Sequence, residues 1–194
     1  MSALNDTCQF LKVWLRRPLT IGTVMPSGQA LARAIARQVP LPTTLPILEL
    51  GAGTGAITAA LLDAGVPPDQ LIAVEREDVL FATLTRRFPG IRAVRGDATR
   101  LQDLLRTHGV SQVGAVVSGL PLVSLPAAVC HAIIEQSLKV MAPGAPFVQF
   151  TYALASPIDR QAHGLDGRRV DHIWANFPPA HVWVYRRRSE ATIG

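Results

Sequence analysis

The chain has 194 residues, of which 48% are hydrophobic and 17% charged, and its formal net charge is +5. This length predicts one domain that can bury a core without metals or disulfides, and the apolar share excludes a disordered chain. Nearly all of the basic residues are arginine, which suits phosphate and carboxylate partners, although arginine-rich composition alone would explain them equally well. Cys8 and Cys130 lie far apart and form no CxxC pattern, so neither a disulfide nor a zinc site is predicted.

The N-terminal part predicts two helices that precede the main domain. Residues 5–17 place Phe10, Trp14 and neighbouring leucines on one side, with basic residues at the flanks and end, and Pro18 ends the helix. Such a helix suits an anionic membrane surface. It is not a signal peptide, and no run approaches the roughly 20 apolar residues that a bilayer span needs. A second helix is predicted over 28–38 with Ser27 as its N-cap.

From residue 41 onward, strands rich in Val and Ile alternate with helical stretches. This pattern is typical of a parallel sheet covered on both faces. We predict an α/β, Rossmann-like domain over 41–194, preceded by an N-terminal segment over 1–40, with a seven-stranded, mostly parallel sheet that ends in a hairpin. The predicted strands are 46–50, 71–75, 91–95, 113–118, 146–152, 168–176 and 181–187, and the predicted helices are 55–64, 77–88, 99–107 and 127–141.

A glycine-rich turn, ILELGAGTGAIT over 47–58, follows the first strand. Glycines allow the tight turn and the close approach of a ligand to the backbone. The G-x-G-x-G spacing differs from the dinucleotide pattern, and the preceding Glu49 would repel a pyrophosphate but suits a cationic ligand. The segment resembles motif I of class I methyltransferases, in which this acid meets the amino group of S-adenosylmethionine (SAM).

Two more acids follow the next strands in the order that such a cofactor needs. Glu75 ends the second strand and is placed to accept the ribose hydroxyls. Asp97, in GDAT after the third strand, resembles the family's acid that binds the adenine amine. No metal and no second cofactor are predicted. The full predicted cofactor set is Thr23, Ser27, Glu49, Gly51, Ala52, Gly53, Thr54, Gly55, Ile57, Glu75, Arg76, Asp97, Ala98 and Ser118.

The segment SGLPL over 118–122 follows the fourth strand and is predicted to present the methyl acceptor. It resembles the N-x-P-Y/F motif of amine-methylating enzymes, whose carbonyl and polar side chain orient the target nitrogen. Leu122 stands where adenine methyltransferases have a stacking aromatic, which argues against nucleic acid as substrate. The predicted catalytic residues are Ser118, Gly119, Leu120, Pro121 and Tyr152.

Taken in order, these segments resemble the bacterial phospholipid N-methyltransferase family over most of the chain. The resemblance includes F-x-x-x-W-x-x-x-P from Phe10, the G-x-V-x-P-S loop from Gly22, ELGAGTGAIT, GDA, SGLPL and VQFTYALASP over 148–157, with Ala153 where that family usually has glycine. It implies stepwise methylation of phosphatidylethanolamine by a bacterial protein on the cytoplasmic face of the plasma membrane.

Four other functions remain open from the sequence. Ornithine-lipid N-methyltransferases show a similar pattern, so the lipid is not fixed. An rRNA adenine methyltransferase, a small-molecule or protein N-methyltransferase and a non-catalytic membrane-binding module are the others. The oligomeric state is not predicted.

Overall fold

The computed structural model describes residues 26–174 and 179–188. The predicted helix over 5–17 and Thr23 lie outside the described residues. The helices are α1 (Pro26–Ala36), α2 (Ala56–Asp63), α3 (Asp78–Arg87), α4 (Leu101–Thr107) and α5 (Ala127–Val140). The strands are β1 (Ile47–Leu50), β2 (Leu71–Glu75), β3 (Arg92–Arg95), β4 (Ala115–Ser118), β5 (Phe147–Thr151), β6 (Leu165–Ile173) and β7 (Ala180–Arg187).

The seven strands form one sheet in the order β3-β2-β1-β4-β5-β7-β6. Strands β1 to β5 are parallel, whereas β7 pairs antiparallel with β5 and β6. The chain leaves β1 toward one side of the sheet and returns to β4 on the other side. The carboxyl ends of β1 and β4 therefore form a switch point, which is where open α/β sheets bind ligands.

Apolar side chains on both faces of the parallel strands explain why helices cover the sheet on both faces. On one face, Leu101 of α4 and Ile133 of α5 pack with strand residues such as Leu48. On the other face, Ile35 of α1 and Leu61 of α2 pack with strand residues of the second core. Helix α1 thus packs in the core of the sheet domain. The predicted division between residues 1–40 and 41–194 stays a prediction.

Two local predictions were wrong, and each has a physical reason. Helix α1 begins at Pro26, so Ser27 lies in its first turn and is not the N-cap. Proline is favoured in a first helical turn because its missing N–H would have no partner there. Strand β6 begins at Leu165, three residues before the predicted 168. Gly167 lies inside this strand, where the ring of Tyr185 occupies the space of its absent Cβ.

Within residues 26–174 and 179–188, no helix is long and apolar enough to cross a membrane.

Candidate functional site

The glycine turn after β1 has the backbone conformation that its sequence predicts. Gly51, Gly53 and Gly55 have φ values of 68°, 57° and 84°, in the left-handed region that favours glycine. The N–H groups of Gly51 and Ala52 both donate to the Val74 carbonyl, which ties the turn to β2. A Cβ on Gly51 would lie 2.5 Å from the Leu120 side chain. The turn therefore packs directly against the predicted acceptor segment after β4.

Glu49 is fully buried at the end of β1. Its Oε2 accepts a 2.6 Å hydrogen bond from the Thr58 hydroxyl of α2, whereas its Oε1 has no partner among the described residues. Burial raises the pKa of this carboxyl to about 8, partly opposed by the Thr58 bond. A buried carboxylate oxygen without a donor is an acceptor for a cationic group, so this position fits the amino group of SAM.

The two further predicted cofactor acids also lie at strand ends. Glu75 is buried, and its carboxylate accepts the backbone N–H groups of Gly53, Arg76 and Glu77 at 2.8, 2.8 and 2.9 Å. It therefore holds the glycine turn in place. Asp97 is exposed and caps a 3₁₀ turn, since its side chain accepts the Thr99 N–H. That bond, together with nearby arginines, lowers the pKa of Asp97.

The other predicted cofactor residues surround these acids. Ala52 in the turn is buried, and Ile57 in the first turn of α2 is partly buried. The Thr54 carbonyl accepts a 2.8 Å bond from Arg87 of α3. Arg76 forms an exposed ion pair with its neighbour Glu77, and Ala98 begins the 3₁₀ turn that Asp97 caps. Apart from Thr23 and the side chain of Ser27, which are not described, the whole predicted set lies at one edge of the sheet.

The predicted acceptor segment crosses the glycine turn closely. Gly119 donates to the Leu50 carbonyl at 2.8 Å, and a Cβ at Gly119 would lie 2.8 Å from the Gly51 carbonyl oxygen. Ser118 is buried, and its hydroxyl accepts the Leu120 N–H at 3.3 Å. Pro121 precedes a short 3₁₀ turn that buries Leu122. The chain thus needs glycine at 119 for β1 and β4 to approach at the switch point.

The fifth predicted catalytic residue, Tyr152, follows the end of β5 and is exposed. Its ring packs edge-on against Phe150, with 5.9 Å between the ring centroids. It lies at the same carboxyl edge as Ser118, because Ser118 pairs with Gln149 in the β4–β5 register. All five predicted catalytic residues therefore lie at or just after the carboxyl ends of the adjacent strands β4 and β5.

The sequence did not point to Gln149, yet this residue connects the acceptor segment to β5. Its side chain is buried, and Nε2 donates to the Leu120 carbonyl at 3.0 Å and to the Phe150 carbonyl at 2.8 Å. The Leu120 carbonyl also accepts the Leu122 N–H at 2.9 Å. Both lone pairs of that carbonyl are therefore used. The only available signal was a polar residue inside an apolar strand, VQF.

Comparisons with known proteins place the chain in a family. No protein-family model matches it. An ornithine lipid N-methyltransferase of Singulisphaera acidiphila is 32% identical over 151 residues, which cover 76% of this chain and 79% of that protein.

Solved structures of methyltransferases share the fold. The magnesium protoporphyrin IX methyltransferase of Synechocystis PCC 6803, solved with bound SAM, has a TM-score of 0.65 at 12% identity, over 97% of this chain and 98% of that one. A TehB-like SAM-dependent methyltransferase of Corynebacterium glutamicum has a TM-score of 0.62 at 16% identity, over 95% and 99%. The chain therefore belongs to the same family as the ornithine lipid N-methyltransferase, among the class I SAM-dependent methyltransferases.

Proposed function

We propose that this enzyme transfers methyl groups from SAM to the amine of a membrane aminolipid, and that ornithine lipid is the acceptor. The relative that acts on ornithine lipid supports the choice of lipid. Phosphatidylethanolamine is the second candidate, because SGLPL and VQFTYALASP resemble the phospholipid enzymes. The single observation that carries the lipid assignment is the apolar, uncharged character of the sheet edge around the acceptor segment.

The carboxyl edge of the sheet divides into two halves of different chemistry. The cofactor half follows β1 to β3 and carries Glu49, Glu75, Arg76 and Asp97. The acceptor half comprises residues 119–130 and 151–158 together with the described residues at the β6–β7 end, 173–174 and 179–180. These residues lie at or after the carboxyl ends of β4, β5 and β6 and contain no Asp, Glu, Lys or Arg. Ordinary surface loops carry charges, so an uncharged set of segments at one edge favours contact with an apolar partner.

Exposed apolar side chains lie on each of the three acceptor-half segments. Val123, Leu154 and Trp174 are 59%, 77% and 76% exposed. They extend from separate segments at one edge, because the pairing of Thr151 with His181 and of Ile173 with Ala180 places the end of β6 and the start of β7 beside the end of β5. Indole rings favour the headgroup level of a bilayer, and aliphatic tips favour its interior. A lipid surface on this edge would bring headgroups to Ser118–Pro121.

The reaction asks the protein chiefly for positioning. SAM, when bound, supplies a methyl group on a sulfonium: the amine lone pair forms the new N–C bond, and the electron pair of the broken C–S bond stays on sulfur. The glycine turn and the acceptor segment touch through Gly51 and Leu120, which sets the cofactor beside the amine. The proton released by the methylated amine passes to water.

The predicted N-terminal helix extends this proposal to the whole chain. Lys12, Arg16 and Arg17 would each contribute on the order of 1 kcal/mol on an anionic surface. We propose that residues 5–17 bind the anionic cytoplasmic leaflet of a bacterial membrane while the acceptor half faces its headgroups.

The decisive assay measures label transfer from methyl-labelled SAM to vesicles that contain ornithine lipid, phosphatidylethanolamine or neither, with and without anionic lipid. We expect label in ornithine lipid and a higher rate with anionic lipid. Label only in phosphatidylethanolamine would overturn ornithine lipid as the acceptor. Label in neither, from protein that binds SAM by calorimetry, would overturn the lipid assignment; equal transfer to an ornithine amide without acyl chains would show a soluble acceptor.

Two matched substitutions test the lipid-facing edge itself. Leu154→Asp and Trp174→Asp should each lower vesicle binding and lipid methylation severalfold, while leaving SAM affinity unchanged. Val79→Asp is the control, because Val79 is 80% exposed but lies in the first turn of α3, on the cofactor half. If all three variants lost vesicle binding and lipid methylation equally, a new negative charge at any exposed position would explain the effect. The acceptor half would then not be the membrane contact.

A further inference from the structure

A group of buried polar atoms without partners lies beside the acceptor segment. In the described part of the chain, six buried side-chain nitrogen or oxygen atoms lack a hydrogen bond. Four of them lie on β5, β7 and β6: Gln149 Oε1, Trp183 Nε1, His181 Nδ1 and His172 Nε2. Buried polar groups are rarely left unsatisfied, since each costs free energy without a partner. Four in one place indicate a site for a polar ligand.

The sheet register places these side chains on one face. Gln149 pairs with Trp183 on β7, and Thr151 pairs with His181. Residues directly opposite in an antiparallel pair point to the same face, with Cβ atoms about 5 Å apart. His172 pairs in turn with His181, and their ring centroids are 4.4 Å apart. The polar atoms therefore form a column at the carboxyl edge, next to Ser118.

The hydrogen bonds of Gln149 fix the direction of its amide. Two carbonyls, those of Leu120 and Phe150, contact the same terminal atom at 3.0 and 2.8 Å. Only the NH₂ group can donate to both. The other terminal atom is therefore the oxygen. This oxygen has no hydrogen-bond donor, and its position is fixed by the bond between Nε2 and the Leu120 carbonyl. The indole N–H of Trp183 can only donate, so one ligand can meet an acceptor and a donor side by side.

We propose that Gln149 and Trp183 bind the polar headgroup of the acceptor lipid: Gln149 Oε1 accepts a hydrogen bond from its amine, and Trp183 Nε1 donates one to its anionic group. This inference rests on the proposed function. His181 and His172 line the outer end of the column. Burial lowers the pKa of His181, so its imidazole is neutral at physiological pH and adds a polar surface without a charge.

The chemistry shared by the two candidate lipids fits this pair. Ornithine lipid carries an amine and a carboxylate, and phosphatidylethanolamine carries an amine and a phosphate. In both, a short chain of atoms joins the two groups, so one headgroup can meet a facing acceptor and donor together. Because Gln149 also holds the Leu120 carbonyl, an amine bound there lies beside the segment that touches the glycine turn.

The test compares steady-state kinetics of the full chain on vesicles of each lipid. Trp183→Phe removes the N–H and keeps a ring; we expect the KM for lipid to rise about tenfold or more, the loss expected for a hydrogen bond to a charged group. Gln149→Leu should lower kcat as well, since the amine loses its positioning contact. Neither variant should change the SAM dissociation constant, measured by calorimetry, more than twofold.

Tyr185→Phe is the matched control. Tyr185 lies two residues beyond Trp183 on β7, outside the group of unpaired polar atoms; its ring stacks on that of Trp183, and its hydroxyl bonds to Ser156 at 2.9 Å. This variant should leave KM and kcat unchanged. If wild-type protein labels lipid but Trp183→Phe and Gln149→Leu keep wild-type kinetics, the proposed site is wrong while the function stands. If Gln149→Leu fails to fold, Trp183→Phe alone decides. If wild-type protein labels no lipid, the proposed function fails first.

Discussion

Binding of SAM should release one proton from Glu49, and Glu49→Gln should abolish that release. Glu49 is buried with one unpaired oxygen, and burial raises its pKa to about 8. Below that pH the free enzyme holds the carboxyl protonated. An ammonium group bound at Oε1 favours the ionised form, because an opposite charge stabilises it. The cofactor must therefore displace the proton to gain the ion pair.

The size of this effect follows from the raised pKa. At pH 6.5 the free carboxyl is almost fully protonated, so about one proton leaves for each SAM bound. The SAM affinity should rise about tenfold per pH unit from roughly pH 5.5 toward 8 and then level off. Measurements between about pH 6 and 7.5 also keep the amino group of SAM charged.

The same linkage governs stability without cofactor. A carboxyl whose folded-state pKa lies above its ordinary value stabilises the folded state most when it is protonated. Its contribution to the free energy of unfolding is therefore largest below the ordinary pKa of 4.5 and falls as the pH rises to about 8. Glu49→Gln cannot titrate, so its stability relative to wild type should increase across this window.

Calorimetry at pH 6.5 in buffers of different ionisation enthalpy measures the proton release directly. Wild type should release about one proton and Glu49→Gln none, with SAM affinity in the variant at least tenfold weaker at pH 7.5. Glu135→Gln, a change at a half-exposed carboxyl of α5, should match wild type. Unchanged SAM affinity in Glu49→Gln, together with no proton release by wild type, would refute the contact between Glu49 and the SAM amino group. Glu49 would then have only a structural role, through its bond to Thr58.

Two further substitutions test the turn and the crossing of strands. Glu75→Gln should lower the melting temperature of the free enzyme by roughly 2 to 10 °C, because an amide nitrogen would then face a backbone N–H that the carboxylate now accepts, at a cost of about 1–3 kcal/mol; an unchanged melting temperature in thermal unfolding would contradict this. Gly119→Ala should weaken SAM binding more than tenfold by calorimetry, since its Cβ would lie 2.8 Å from the Gly51 carbonyl oxygen. Gly28→Ala, where no atom lies within 4 Å of the new Cβ, should bind SAM like wild type. Equal SAM affinities of the two variants would mean that the close approach of Gly119 to the glycine turn does not matter for cofactor binding.

The parallel part of the fold was predictable because its signal is local. Strands such as β2 are apolar on both faces, and their predicted bounds agree with the structure within two residues. The edge strand β6 was harder to place. Most of its residues are exposed or partly buried without a regular alternation, and Gly167 inside it makes room for the ring of Tyr185. The start of α4 was predicted at 99, but Asp97 first caps a 3₁₀ turn before the helix begins at Leu101.

The candidate site likewise has a part that could be predicted from the sequence and a part that could not. The glycine turn and its acids follow from short motifs at successive strand ends, so their shared edge was predictable. Gln149 and Trp183 become neighbours only through the antiparallel register of β5 and β7, which no local pattern encodes. The unpaired oxygen of Gln149 likewise follows from two carbonyls that meet its amide in three dimensions.

A neutral acceptor site has a chemical consequence for methyl transfer to an amine. Only the unprotonated amine has the lone pair that forms the new bond. A carboxylate beside the amine would raise the amine's pKa and hold it in the protonated, unreactive form. The acceptor half contains no Asp or Glu, and Gln149 offers an uncharged oxygen at the same position. In the proposed arrangement, acids on β1 and β2 would hold a cationic cofactor and neutral groups on β5 and β7 would let the amine lose its proton, so the two halves would serve opposite charge requirements within one edge.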